Sequence, residues 1–395
     1  MHILIFALGI ILFIGLVLVH EWGHFIMARR NNVDVEEFGL GFPPRAGGKK
    51  LKSGMVLSVN YLPLGGFVKM KGESDSDTRK GSFGAASMAA KTKIMLAGVT
   101  MNLLVGIAIL TVLAAVGMPK LLTLDNVGQE QFTVSSDTKV IHRQILVGAI
   151  QPGSPAEKSG LKSTDELISA TSSGQTREVK TPKQIKDATL AFAGQNITIV
   201  YKRNGQIQQK QVQLLSTKEV QASLKTKNQK GYLGIVPTAL QVQRSTWSAP
   251  VVAVGLTAQI FKLTFIGLGH AFAGLGGLIA GGATGNHEAR VNGQDQASSQ
   301  VGGPVAIGVA LWDYGNLGIY FMLFLIALIS LTLAIMNILP IPALDGGRLA
   351  MMWISRGILK RPLTRSAEEK IVGASFAVLL GLIVLITVVD VKRFF

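Results

Sequence analysis

The chain has 395 residues, of which 48% are hydrophobic and only 16% charged. Ordinary soluble proteins carry about 25% charged residues, so this composition excludes a conventional soluble enzyme and points to the bilayer. The net charge of +16 fits basic cytoplasmic loops and a basic extramembrane domain; without a reader motif it predicts no nucleic-acid partner. There is no cysteine, so a bound metal must be held by His, Asp or Glu.

The first apolar run, residues 3–28, predicts a transmembrane helix. It has neither a basic leader nor a small-residue cleavage site, so it reads as a retained span. Its inner end carries His20-Glu21-Trp22-Gly23-His24. On a continuing helix His20 and His24 stand one turn apart on one face. Two such imidazoles can hold one Zn²⁺, and Glu21 beside them can take a proton from the metal-bound water. The apolar run ahead of the motif, about 17 residues or roughly 26 Å of helix, sets this site near the cytoplasmic face.

Three further spans are predicted at 94–118, 317–339 and 371–391. Twelve Lys and Arg lie in the loop 29–93 and six in the loop 340–370. Both loops therefore face the cytoplasm, and both termini and the middle region face outward. Within the first loop, residues 55–62 read as a strand with Leu57, Val59 and Tyr61 on one face. A short sheet near the zinc would expose a strand edge. Such an edge, at Val56, Leu57, Ser58, Val59 and Asn60, can pair with an unwound substrate backbone.

Residues 127–215 change to a soluble texture. Strand, short helix, strand, helix and hairpin follow one another, with Pro152-Gly153-Ser154-Pro155-Ala156, Ser159-Gly160-Leu161 and Asp165-Glu166-Leu167 as punctuation. This pattern resembles a PDZ domain, a module that binds extended peptides or chain ends by strand addition. Residues 251–282 are apolar but contain Lys262, His270 and many glycines. A crossing here would put the downstream acidic motif across the bilayer from His20, so an interfacial or re-entrant outer-face segment is predicted. His270, and His287-Glu288 beyond it, are expected to be incidental. The polar stretch 283–300 is expected to be a loop.

The third predicted span ends in Asn337-Ile338-Leu339-Pro340-Ile341-Pro342-Ala343-Leu344-Asp345-Gly346-Gly347-Arg348. The prolines break the helix and the glycines allow a tight turn. A carboxylate where a helix unwinds near the bilayer is costly unless it is paired or metal-bound. Two histidines and Asp345 leave a fourth zinc position open, the mark of a catalytic site. The fold class expected is a polytopic α-helical membrane protein of four transmembrane helices, with a cytoplasmic-side membrane-associated β-hairpin and one extracytoplasmic PDZ domain.

Together, His20 to His24, the stretch Asn60-Tyr61-Leu62-Pro63-Leu64-Gly65-Gly66-Phe67-Val68-Lys69-Met70, the PDZ-like region and the Asp345 motif resemble the site-2 protease family of intramembrane zinc metalloproteases, most closely its bacterial RseP type. The resemblance implies His20, His24 and Asp345 as ligands of one catalytic zinc, Glu21 as base and Asn337 as a substrate-positioning residue. It implies that the loop 29–93 includes a hairpin presenting substrate. Gly302-Gly303-Pro304-Val305 resembles the segment before the family's third span. The second span reads Ala97-Gly98-Val99-Thr100-Met101-Asn102, lacking the proline the family usually has after the glycine; Asn102 remains.

The function implied is hydrolysis of a peptide bond in the transmembrane segment of single-span membrane proteins, of the anti-sigma-factor or signal-peptide-remnant type, in a bacterial-type inner membrane. The PDZ-like region would contact the substrate's peptide or ectodomain. The rival class is a membrane-anchored PDZ scaffold with a non-catalytic zinc site, which would have no use for Glu21. A zinc transporter would spread polar residues along several spans, and here they collect at the inner ends.

Overall fold

The uninterrupted apolar run at the start, with no proline inside it and Arg29 and Arg30 in its last turn, forms helix α1 (His2–Arg30). The two cations sit where the helix dipole favours them. In the computed structural model, which describes residues 2–120, 123–124, 129–203, 205–224, 229–284 and 303–394, two units separate: 1–112 with 250–395, and 113–249. The expected domain boundary at 127, Gly302, and the 283–300 stretch beyond 284, including His287 and Glu288, lie outside the described residues.

In the first unit α1 is followed by β1 (Val35–Lys50) and β2 (Val56–Met70). Both strands are sharply bent. Gly41 adopts φ +78° before Pro43-Pro44, and Gly65 adopts φ +93° after Pro63, conformations that glycine takes without a Cβ penalty. The bends fold a two-strand hairpin into four parallel-lying segments. Glu37 pairs with both Val56 and Lys69, and Val56 pairs with both Glu37 and Lys50. The segment order is therefore 45–50, 56–60, 35–42, 66–70.

This register corrects the sequence reading. Residues 56–59 are paired on both sides, so they offer no free backbone edge. Leu57, Val59 and Tyr61 do share one exposed face, but Ser58 and Asn60 point inward and are buried. The Asn60 amide donates to the carbonyl of Gly41 at 3.0 Å and pins the bend of its own hairpin. The edges of this sheet are 45–50 and 66–70.

Helix α2 (Met88–Val116) follows. Ala28, Val33, Val35, Met55, Val68, Met70, Phe83, Ile94 and Met95 bury a shared core that ties α1, the hairpin and α2 together. Beneath it, Lys91 is fully buried and donates to Asp75 at 2.5 Å and to the carbonyl of Gly84.

The second unit is built on a seven-stranded sheet. Its strands are β3 (Met118–Lys120), then, beyond the short pair β4 (Thr123–Leu124) and β5 (Gln129–Glu130), β6 (Lys139–Ile150), β7 (Glu166–Ser172), β8 (Gln175–Glu178), β9 (Asn196–Arg203), β10 (Gln206–Gln213) and β11 (Ile235–Arg244). The order is β10-β9-β7-β6-β11-β3, with β8 beside β7. Helices α3 (Pro155–Lys158), α4 (Pro182–Ala191) and α5 (Thr217–Ser223) start at Ser154, Thr181 and Ser216, each accepting a bond from the first-turn backbone, as N-caps do. Ile145, Val147, Leu167, Ile185, Ile199 and Tyr201 form the buried core.

Back in the first unit, residues 249–284 form one unbroken helix, α6 (Ala249–Thr284). Its part Ala249–Gly274 is as able to cross a membrane as four others, Ile3–Arg30, Met88–Val116, Ile319–Ile338 and Arg365–Lys392, by length and composition. Then come α7 (Pro304–Leu317), α8 (Ile319–Ile338), α9 (Asp345–Gly357) and α10 (Arg365–Phe394). Asp390 of α10 is buried and accepts from the amides of Gly303 and Ala306, capping α7. Leu16, Leu311, Met322 and Ile326 pack α1 against α7 and α8.

Candidate metal centre

Helix α1 continues through its polar residues, so His20 and His24 project from one face and both are buried. Asp345 reaches them from the other end of the sequence. Pro340 and Pro342 stop α8 at Ile338, and Asp345 opens α9. The two glycines that follow are required by space. A Cβ at Gly346 would lie 2.1 Å from the carbonyl oxygen of Ile338, and one at Gly347 would lie 1.9 Å from that of Ile341.

The Nε2 atoms of His20 and His24 are 3.2 Å apart, and each is 3.1 Å from Oδ2 of Asp345. Tetrahedral bonds to zinc of about 2.0–2.1 Å set ligand atoms about 3.3–3.4 Å from one another. The triangle is within a few tenths of that spacing. Among the described residues these three are the one His, Asp and Glu group whose ligand atoms converge in this way; His270 is exposed on α6 and takes no part.

The tautomer of His24 also fits a metal. Its Nδ1 lies 2.8 Å from the carbonyl oxygen of Ile94. A carbonyl only accepts, so Nδ1 carries the proton and Nε2 of the neutral ring presents its lone pair. His20 Nδ1 lies 3.3 Å from the amide of Asn102.

Ile94, Gly98 and Asn102 follow each other at four-residue spacing and form one stripe of α2 against the two histidines. A Cβ at Gly98 would fall 2.5 Å from Cε1 of His20. Gly23 of α1 meets the carbonyl of Ala97 as closely, at 2.6 Å from a built Cβ. Ser330 of α8 is buried and donates to the backbone carbonyl of Asn102 at 2.8 Å. The sequence reading noted the glycine and asparagine but gave them no task; their spacing within an apolar span was the available signal.

Glu21 lies next to this cluster and under the hairpin. The backbone amide of Val68 is directed at its carboxylate. A Cβ at Gly66 would touch its Cγ at 3.4 Å. The edge that passes the glutamate is thus 66–70, and not 56–60. Asn337 stands half-buried in the last turn of α8.

The sequence profile of peptidase family M50 matches residues 8–382. A protein of Clostridium perfringens that carries the provisional name zinc metalloprotease is 28% identical, over 98% of this chain and 98% of its own length. A protein of Enterococcus faecalis provisionally named the protease Eep is 25% identical, again over 98% of each chain. A Nostoc protein with the provisional zinc metalloprotease name is 28% identical over 93% of this chain and 90% of its own. Five apolar helices among the described residues, each long enough to cross a membrane, and a match of this extent mark a multi-pass membrane protein. The chain belongs to peptidase family M50, the site-2 protease family, and is a zinc metalloprotease.

Proposed function

We propose that this protein hydrolyses a peptide bond within or at the edge of the transmembrane segment of single-span membrane proteins, with His20, His24 and Asp345 holding one zinc and Glu21 as catalytic base. The observation that carries the reading is the triangle of two Nε2 atoms and one carboxylate oxygen, with edges of 3.1, 3.1 and 3.2 Å, beside a glutamate that is not part of it. Bound zinc supplies Lewis-acid polarisation of the scissile carbonyl and makes water a competent nucleophile near neutral pH. Glu21 accepts the proton of the attacking water and returns it to the leaving amine nitrogen.

A substrate helix must unwind before its peptide bonds can be reached, and its freed N–H and C=O groups cost several kcal/mol each in lipid. Strand addition along 66–70 satisfies those groups beside Glu21. Asn337 serves to orient the substrate backbone. The second unit acts as a PDZ-type domain that reads the substrate's ectodomain. The four-span topology, with this unit and both termini outward, rests on the Lys and Arg distribution; under it α6 lies along the outer face.

The test is cleavage of single-span substrates by the purified protein in detergent, with wild type and Glu21→Gln compared at matched zinc content. Cleavage by wild type alone supports the reading. Equal cleavage by both removes Glu21 from the mechanism.

A further inference from the structure

We propose that Asn102 is a positioning residue for the metal centre: its Oδ1 accepts the Nδ1 proton of His20 and fixes that ring as the tautomer whose Nε2 is free for the metal. The inference rests on the ligand assignment made above.

Asn102 is 1% exposed and sits deep in α2. Its side-chain nitrogen lies 3.3 Å from His20 Nδ1, and its side-chain oxygen has no partner. Nitrogen and oxygen of an amide are distinguished by their partners and not by their shape. If the nitrogen faced Nδ1, Nδ1 would have to accept, and the proton of the neutral ring would sit on Nε2. That atom is 3.2 Å from His24 Nε2 and 3.1 Å from Asp345. A proton there removes His20 from any ligand set. Turning the amide over brings Oδ1 to Nδ1, accepts its proton and returns the lone pair to Nε2. Either way one end of the amide stays without a partner, so a count of hydrogen bonds does not choose. The chemistry of the converging atoms does.

The arrangement then becomes symmetrical in its logic. His24 gives its Nδ1 proton to the carbonyl of Ile94, and His20 gives its own to Asn102, two turns further along the same stripe of α2. The hydroxyl of Ser330, bonded to the Asn102 backbone, fixes that turn of the helix from α8. Partners of this kind, which touch a ligand and not the metal, typically contribute about 10- to 100-fold in metal affinity.

The test measures zinc dissociation by competition with a chromogenic chelator, for wild type, Asn102→Leu, Asn102→Ala, Asn102→Asp and His24→Ala in detergent. Thermal unfolding of each metal-free protein identifies variants that are folded. Asn102→Leu is close in volume but cannot accept, and should bind zinc about 10- to 100-fold more weakly. Asn102→Ala removes the acceptor in a smaller side chain and gives the same reading if the leucine variant does not fold. Asn102→Asp keeps an acceptor at Nδ1 and should hold zinc at least as tightly as wild type. Wild-type affinity in a folded Asn102→Leu or Asn102→Ala overturns the inference. So does a folded Asn102→Asp that loses zinc as the leucine variant does. If wild type takes up no stoichiometric zinc, or His24→Ala keeps it, the ligand assignment itself fails and this inference with it.

Discussion

Gly98 of α2 lies flat against His24 of α1, so closely that a Cβ built on the glycine falls 2.5 Å from the histidine's Nε2. The contact is with the atom that faces Asp345 and His20, so the smallest possible side chain at position 98 is a condition for the proposed metal centre, none of whose proposed ligands is on this helix. Gly98→Ala is expected to displace an imidazole, lower zinc affinity roughly tenfold or more, and reduce cleavage with it. Zinc content after dialysis, measured beside cleavage, checks this. A Gly98→Ala protein with full zinc and full activity would mean that the helices separate to accept the methyl group.

The buried ion cluster around Asp75 is expected to contribute to stability against acid. Asp75 is buried against the fully buried Lys91 and against Arg356 of α9, at 2.5 and 2.8 Å. Burial alone would raise its carboxyl, but the hydrogen bonds from Arg356 and Lys91 outweigh that and hold it below the usual carboxylate range. Because the folded value is depressed, its contribution is complete above the unfolded value of about 3.9 and is lost as pH falls through the lower, folded one. Asp75→Ala strands the Lys91 ammonium and should cost about 3–5 kcal/mol. Thermal unfolding in detergent should show a lower midpoint at pH 7, and a difference from wild type that shrinks at strongly acid pH.

The two edges of the hairpin sheet can be told apart by cross-linking, since the chain has no cysteine of its own. Lys69→Cys stands on the edge that passes Glu21, and Lys49→Cys stands on the opposite one. With a cysteine placed near the scissile bond of an uncleaved substrate and Glu21→Gln as background, a disulfide is expected at position 69 and not at 49. The reverse pattern would move strand addition to 45–50.

The second unit should act on selection and not on chemistry. Its sheet, from β3 to β11, carries its own buried core. Replacing 118–244 by a flexible linker should preserve cleavage of a substrate without an ectodomain and change which longer substrates are cut. Loss of both activities in a folded protein would contradict a filtering role.

The meeting of His20, His24 and Asp345 was largely legible from residue types and their spacing. His20 and His24 lie one turn apart whatever surrounds them. Asp345 stood out as a carboxylate between two prolines and two glycines at the end of an apolar run. The hairpin was less legible. Residues 56–60 have the alternation of a strand with one exposed face, and that much is local. Whether such a strand is an edge depends on the bend at Gly41, which brings 35–42 and 45–50 to its two sides. For residues 251–282 the sequence reading rests on the charges of neighbouring loops and not on a local pattern; the structure shows one continuous helix there, long and apolar enough to cross a membrane.

The close meeting of Gly23 with the carbonyl of Ala97 bears on traffic. A helix with its side chains is about 10–12 Å across, and here two backbones touch with nothing between them. On the proposed function, a substrate segment entering through the seam between α1 and α2 would have to prise apart the pair that carries both imidazoles, so entry is expected from another flank of this unit.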